Sequence, residues 1–78
     1  MQYIYSSHIL VRMNERGFTK EEIEILLTGM AGSLSAPSHR DPEVYLYMGF
    51  VFQKGIVIIV NEKTKILITV RVMRVKYI

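Results

Sequence analysis

The stretch SHILVRMNERGFTKEEIEILLTG, residues 7–29, predicts two short helices joined by a tight turn. A serine at position 6 or 7 can cap the first helix, whose apolar positions are Ile9, Leu10 and Met13. Gly17 directly follows Arg16, and a glycine just past a cationic last turn is typical of a helix end. We therefore predict a helix over residues 7–16.

The second helix is expected to begin after Thr19, because Thr19 and Glu22 have the spacing of a capping box. Its apolar side chains recur at the positions of one helical face: Ile23, Leu26, Leu27 and Met30. Glycines at positions 29 and 32 end the pattern. We predict a helix over residues 20–29 and a turn-rich loop over 31–42, with a short edge strand near 33–36.

The second half of the chain predicts β-strands. Apolar and polar side chains alternate from Val44 to Met48, which indicates a half-buried strand, and Gly49 is expected to break or bend it. Residues 56–60 are all β-branched and apolar, which predicts a buried strand.

The last strand is predicted over residues 65–73, after a hairpin turn at 61–64. Ile68 and Val70 are its most strand-like apolar pair, so we expect them to anchor the core. Helices followed by an antiparallel meander make an α+β fold. The expected architecture is a single domain over residues 1–78, with two N-terminal helices packed on a curved antiparallel sheet of three to four strands.

The composition excludes several classes of protein. There is no cysteine, which excludes disulfide scaffolds, thiolate metal sites and cysteine nucleophiles. Histidines and carboxylates do not cluster and no glycine pattern suits a nucleotide, so we expect neither a metal nor a cofactor. The longest apolar run, residues 56–60, falls short of the about 20 residues that span a bilayer. No basic segment precedes an apolar one at the N-terminus, so we expect no signal peptide and a cytoplasmic location.

The chain carries a formal net charge of +3, and its basic residues are concentrated towards the C-terminus. After position 61, a single acidic residue, Glu62, is outnumbered by Lys63, Lys65, Arg71, Arg74 and Lys76. Such a bias favours an anionic partner, of which nucleic acid is the commonest. A small basic excess that serves only solubility is the alternative.

Three residues that recur every four positions, His8, Arg12 and Arg16, are expected on one face of the first helix. We call these three residues the basic row. An imidazole transfers protons near neutral pH, and a guanidinium group matches the oxygens of a phosphate. Together these groups can cleave a phosphodiester. The alternative is a solvated helix face, in which Arg12 or Arg16 pairs with Glu15.

A second group of candidate residues lies on the predicted strands. Thr69 and Arg71 share a strand face, from which they can orient or contact a phosphate, and Arg74 continues the basic segment. Tyr45 and Tyr47 also share a face and can stack on bases. The alternatives are a solubilising role for Arg71 and cross-strand packing for the tyrosines.

Residues 7–23 resemble the opening of a widespread family of small bacterial proteins of unknown function. The shared features are His8, the pair Arg12-Met13, the turn Arg16-Gly17 and the helix cap Thr19-x-x-Glu22. Residues 66–70, Ile-Leu-Ile-Thr-Val, match the Ile-x-Thr-Val strand of that family. The resemblance covers about two thirds of the chain. The family is similar to the RelE, ParE and BrnT toxins and to nuclease toxins of the barnase–RelE type.

This resemblance implies helices on a curved antiparallel sheet and a metal-independent ribonuclease toxin that activates the 2′-hydroxyl against the adjacent phosphate. Carried over by position, the catalytic residues are His8, Arg12, Arg16 and Thr69. The substrate contacts that we expect beside them are Arg71, Tyr47 and Arg74. The implied partners are RNA, a protein antitoxin and a second copy of the chain, with no membrane. The alternative is a non-catalytic binding protein of the same fold that acts on a protein partner, as an inhibitor or a phage or plasmid effector does.

Overall fold

The computed structural model describes residues 2–29 and 32–73, which form an α+β fold. The two helices are α1 (Ser7–Arg16) and α2 (Lys20–Leu27). The five strands are β1 (Ile4–Tyr5), β2 (Leu34–Pro37), β3 (Val44–Val51), β4 (Lys54–Asn61) and β5 (Ile66–Val72). Neither of these helices is long and apolar enough to cross a bilayer.

The strands form one sheet in the order β1-β5-β4-β3-β2. All neighbours are antiparallel except β1, which pairs in parallel with β5. The predicted α+β class is confirmed, but the predicted sheet of three to four antiparallel strands is wrong, because the sheet has five strands and is mixed. Since β1 is only two residues long, it has no periodic pattern by which the sequence could reveal it.

The helix ends match the sequence signals that predict them. The hydroxyl oxygen of Ser6 accepts the backbone N–H three residues on, at 3.1 Å, and so caps α1. Gly17 ends α1 with a left-handed backbone, at a φ of 74°. Thr19 and Glu22 form the capping box at the start of α2. The helix ends at Leu27, two residues earlier than predicted, because Gly29 has a positive φ of 77°.

Both helices pack against the same side of the sheet, which we call the helix face; the opposite side is the open face. The core on the helix face is formed by side chains that are at most 7 % exposed: Ile9, Met13, Phe18, Ile23, Leu26, Val51, Ile56, Ile58, Val60, Leu67 and Val70. α1 lies over β5, and α2 lies over β3. Because side chains alternate along a strand, Val57 and Ile59 of β4 point to the open face.

A β-bulge in β5 changes which of its residues enter the core. The pairing with β4 shifts by one residue between Leu67 and Thr69, which leaves Ile68 as the extra residue. Leu67 is therefore fully buried, whereas Ile68 is 36 % exposed. The prediction that Ile68 anchors the core is wrong, and Leu67 takes that place beside Val70.

Gly49 does not break β3, which continues to Val51. Gly49 lies on the helix face below α2, where a Cβ atom would stand 2.9 Å from the Cδ1 atom of Leu26. The missing side chain therefore lets the helix approach the strand closely. Phe52 and Gln53 join β3 to β4 with left-handed backbones, at φ values of 48° and 69°, as a two-residue hairpin requires.

A buried carboxylate joins the helices to the β3–β4 hairpin. Glu22 is 4 % exposed, and its Oε1 atom accepts the backbone N–H of Thr19 at 2.8 Å. Its Oε2 atom pairs with the Nζ of Lys54 at 2.9 Å, and the same Nζ donates to the carbonyl oxygen of Gly17. Burial raises the pKa of Glu22, but the hydrogen bonds from Lys54 and Thr19 outweigh burial and hold that pKa below its ordinary value.

We predict that Glu22→Gln lowers the free energy of unfolding by about 1–3 kcal/mol at neutral pH, because a buried amide has one acceptor oxygen and cannot replace both carboxylate contacts, with Thr19 and with Lys54. Since the pKa of Glu22 is lowered in the folded state, its stabilising contribution is complete above the unfolded pKa and is lost as the pH falls through the folded pKa. The difference in unfolding free energy between Glu22→Gln and the wild type should therefore become smaller at acidic pH. Urea unfolding at about pH 7 and about pH 3 measures this difference.

Glu21→Gln is the matched control, because Glu21 is an exposed carboxylate in the same turn of α2. It should change the free energy of unfolding by no more than about 0.5 kcal/mol. An equal loss in the two variants would show that the buried contacts of Glu22 contribute nothing specific.

Candidate functional site

The basic row lies on the solvent side of α1. His8 and Arg16 are exposed, whereas the apolar side of the same helix enters the core. Arg12 is half-buried, and its Nη1 atom pairs with the Oε1 of Glu15 at 3.3 Å. Within residues 2–29 and 32–73, His8 and Arg16 make no side-chain hydrogen bond or ion pair. The helix thus positions the row, but only Arg12 is held by a side-chain partner.

Thr69 and Arg71 lie on the open face, on the opposite side of the sheet from α1. Their neighbour Val70 is buried in the core beneath the helices, and side chains alternate along a strand. The structure therefore does not bring the basic row and this strand pair together in one site. The sequence pattern shows which residues of an element share a face, but it does not show which face of the sheet the helices cover.

Tyr47 points to the helix face. It pairs across the sheet with Ile58 of the core, and its hydroxyl donates to the Oε1 of Glu62 at 2.9 Å. Its ring therefore lies on the opposite side of the sheet from Arg71, so the predicted substrate contacts are divided as well. Arg74, the remaining predicted contact, lies outside the described residues.

A polar cluster at the end of the sheet beside β1 was not predicted from the sequence. The Oε1 of Glu62 accepts hydrogen bonds from the hydroxyls of Tyr3, at 3.1 Å, and Tyr47, at 2.9 Å. The Oε2 pairs with the Nζ of Lys65 at 3.0 Å. We call these four residues the tyrosine cluster. No local pattern could have revealed it, because Tyr3 and Glu62 are 59 positions apart in the chain.

The tyrosine cluster has fixed protonation states at neutral pH. Burial raises the pKa of Tyr3 and of Tyr47, and their contacts with Glu62 raise both pKa values further. Burial also raises the pKa of Glu62, but hydrogen bonds from Lys65 and the two tyrosines outweigh burial and hold it below its ordinary value. The phenols therefore stay protonated and the carboxylate stays ionised. This chemistry suits binding and not proton transfer.

A cleft opens between the tyrosine cluster and the C-terminal end of α2. It has two adjoining lobes of about 380 and 410 Å³, volumes typical of small-molecule sites. The residues that line both lobes are Tyr3, Glu24, Leu27 and Thr28. Gln2 and Tyr5 complete the first lobe, and Tyr47 and Glu62 complete the second.

Tyr5 contributes its ring to this cleft, but its hydroxyl is buried without a hydrogen-bond partner among the described residues. Burial, and then the charge of Glu24, raises the pKa of Tyr5. The Nζ of Lys20 lies 5.0 Å from the ring centroid, within the range of a cation–π contact.

The open face carries an apolar patch that no described helix covers. We define the open-face patch by the side chains that the strand register places there: Leu34, Leu46, Met48, Phe50, Val57 and Ile59. Leu34 is 70 % exposed and Phe50 is 54 % exposed. A groove of about 340 Å³ lies between the patch and residues 36–40. Arg40 lines this groove, and Arg71 lies on the β5 side of the patch.

The chain matches no family model, no curated protein and no solved structure. The resemblance to RelE-type toxins therefore stays a prediction. Within the described part of the chain, no three His, Asp or Glu side chains lie close enough together to hold a metal ion. Three features of the described residues bear on the function: the basic row, the cleft and the open-face patch.

We predict opposite effects for two tyrosine-to-phenylalanine substitutions in this region. Tyr3→Phe deletes a hydrogen bond to an ionised carboxylate and should lower the free energy of unfolding by about 1–3 kcal/mol. Tyr5→Phe deletes a buried hydroxyl without a partner, so stability should stay unchanged or rise by up to about 1 kcal/mol. Chemical denaturation of both variants beside the wild type measures the difference. An equal loss of unfolding free energy in the two variants would contradict the hydrogen bond of Tyr3 and the unpartnered hydroxyl of Tyr5.

Proposed function

We propose that the protein is a non-catalytic binding module whose open-face patch binds a segment of a protein partner. The observation that carries this proposal is the composition of β4, in which residues 56–60 are all apolar. A strand with one face in water alternates apolar and polar side chains, whereas a continuous apolar run is typical of a strand covered on both faces. The helices cover one face of β4. On the other face Val57 is already 7 % exposed and Ile59 is partly exposed, and the partner would cover Ile59 and the more exposed apolar side chains beside it.

The open-face patch is wide enough to contact a segment of a protein partner. The patch continues across β2, β3 and β4, and its outer members Leu34 and Phe50 are more than half exposed. Contiguous apolar patches of this kind mark protein–protein interaction sites. The groove beside residues 36–40 is large enough to hold one apolar side chain of the partner as an anchor.

The charges beside the patch indicate an acidic partner. Arg40 and Arg71 lie on opposite sides of it, and neither pairs with a carboxylate of the described residues. Complementary charge requires acidic residues next to the apolar residues of the partner. Two copies stacked face to face would place four arginines, two from each copy, at one interface. We therefore favour a different protein over a homodimer.

The basic row favours a second candidate function, metal-independent cleavage of RNA. His8 and Arg16 are exposed on α1, and neither has a side-chain partner among the described residues that would keep it from a phosphate. This candidate depends on the basic row alone, because Thr69 and Arg71 lie across the sheet. Acid–base catalysis needs a positioned group, and no described contact orients the imidazole of His8. The geometry therefore supports the binding module better.

Selection of random peptides displayed on phage against the immobilised protein tests the binding module. We expect enriched peptides to combine apolar residues with Asp or Glu. Leu34→Glu and Arg71→Glu should each weaken binding of a selected peptide at least about tenfold, measured by fluorescence anisotropy, because they place like charge on the patch.

Val11→Glu is the matched control, because Val11 is an apolar side chain, 58 % exposed, on α1 and therefore away from the patch. It should leave the affinity unchanged. An equal loss in this control, or enrichment of basic peptides, would contradict the proposal. Sedimentation equilibrium tests whether the protein forms a dimer. A dimer that dissociates on Leu34→Glu would show that a second copy covers the open-face patch, and would contradict the proposal of a different protein.

Incubation of a model RNA with the protein in EDTA tests the second candidate. The binding module predicts no cleavage above background. Cleavage that falls about a hundredfold or more in His8→Ala and persists in Arg71→Ala would establish the ribonuclease and overturn the proposal. Arg71→Ala is a suitable control because it removes a cation from the opposite face of the sheet.

A further inference from the structure

We propose that the cleft beside α2 binds a small primary ammonium ion with a short apolar stem. The cleft lies on the helix side of the sheet, so this site is independent of the open-face patch. The polar side chains that line its walls are mostly hydrogen-bond acceptors, and an ammonium group is purely a donor.

Three of the four hydroxyl protons on the cleft wall are already committed to other groups of the protein, whereas the hydroxyl of Tyr5 has no partner among the described residues. Tyr3 and Tyr47 donate to Glu62, and Thr28 donates to the carbonyl oxygen of Ile25 at 3.1 Å. Each of these hydroxyl oxygens therefore has only lone pairs left for a ligand. Glu62 is an ionised acceptor as well. A ligand that carries hydrogen-bond donors is therefore complementary to these acceptors of the cleft.

The electrostatics of the cleft favour a cation. The last turn of α2 contains no basic residue, so the partial negative charge of the helix C-terminal end is not offset within the helix. Glu24 lines both lobes, and it makes no ion pair with any described residue. Lys65 already balances Glu62, and the ammonium of Lys20 lies over the ring of Tyr5. Glu24 is therefore the carboxylate of the cleft that has no ion pair among the described residues.

The aromatic walls are suited to an ammonium group. The Nζ of Lys65 lies 5.5 Å from the ring centroid of Tyr3, and the Nζ of Lys20 lies 5.0 Å from that of Tyr5. Aromatic rings attract ammonium groups, but these two contacts are made by lysines of the chain itself, so a ligand would have to approach each ring from another side. Leu27 supplies an apolar contact for a short stem of methylene groups, and each lobe has room for a ligand of that size.

Titration of the ¹⁵N-labelled protein with butylammonium, followed by NMR, tests the site. We expect shifts confined to the cleft, with a Kd on the order of 1 mM, as is ordinary for a ligand of about five heavy atoms. 1-Butanol has the same stem without the charge, and butyrate reverses the charge. Both should bind at least about tenfold more weakly than butylammonium.

Glu24→Gln should weaken butylammonium binding about tenfold or more, whereas Glu21→Gln should leave it unchanged. Both carboxylates are on α2, but only Glu24 lines the cleft. The spectrum of each variant without ligand shows whether it is folded. Equal losses in the two variants, butyrate binding as tight as butylammonium, or no localised shift at about 10 mM would overturn the proposal.

Discussion

The ion pair of the buried Glu22 carboxylate is the interaction on which the rest of the structure depends. Glu22 closes the capping box with Thr19, starts α2 and pairs with Lys54 of β4. A buried charge is costly unless it is paired and hydrogen-bonded, and here both carboxylate oxygens have partners. Because Lys54 also contacts Gly17, one group of contacts joins the turn between the helices to the β3–β4 hairpin. It adds a polar contact to the apolar core that packs both helices against the same face of the sheet.

The consequence is a sheet whose two faces differ. Helices of 10 and 8 residues cover one face, and no described helix covers the other. Yet Leu34 and Phe50 are more than half exposed on the open side, and Met48 and Ile59 are partly exposed there, whereas Val57 is 7 % exposed and buried by its neighbours. An apolar sheet face of this kind associates with other molecules. We therefore propose protein binding at the open face and small-molecule binding at the polar cleft on the helix side.

Features made by neighbours in the sequence could be predicted, and features made by distant contacts could not. The caps at Gly17 and Thr19 depend only on local hydrogen bonds and local backbone geometry. Residue type and spacing were therefore sufficient to predict where α1 ends and where α2 begins. The bulge at Ile68 depends on how β4 and β5 pair, and strict alternation therefore assigned the wrong residue to the core. No single strand shows which face the helices cover, so the predicted meeting of the basic row with Arg71 failed. The tyrosine cluster brings Tyr3 into contact with Glu62, 59 positions away, so no local sequence pattern indicated it.

Methyl-group accessibility, measured by NMR with a soluble paramagnetic agent, tests the central claim that the helices cover one face of the sheet and leave the other open. We expect strong relaxation of the methyl groups of Leu34, Met48 and Ile59. Ile58, the neighbour of Ile59 on the helix face, should stay protected, since it is fully buried. Equal protection of Ile58 and Ile59 would show that another part of the chain covers the open face and would contradict the binding module.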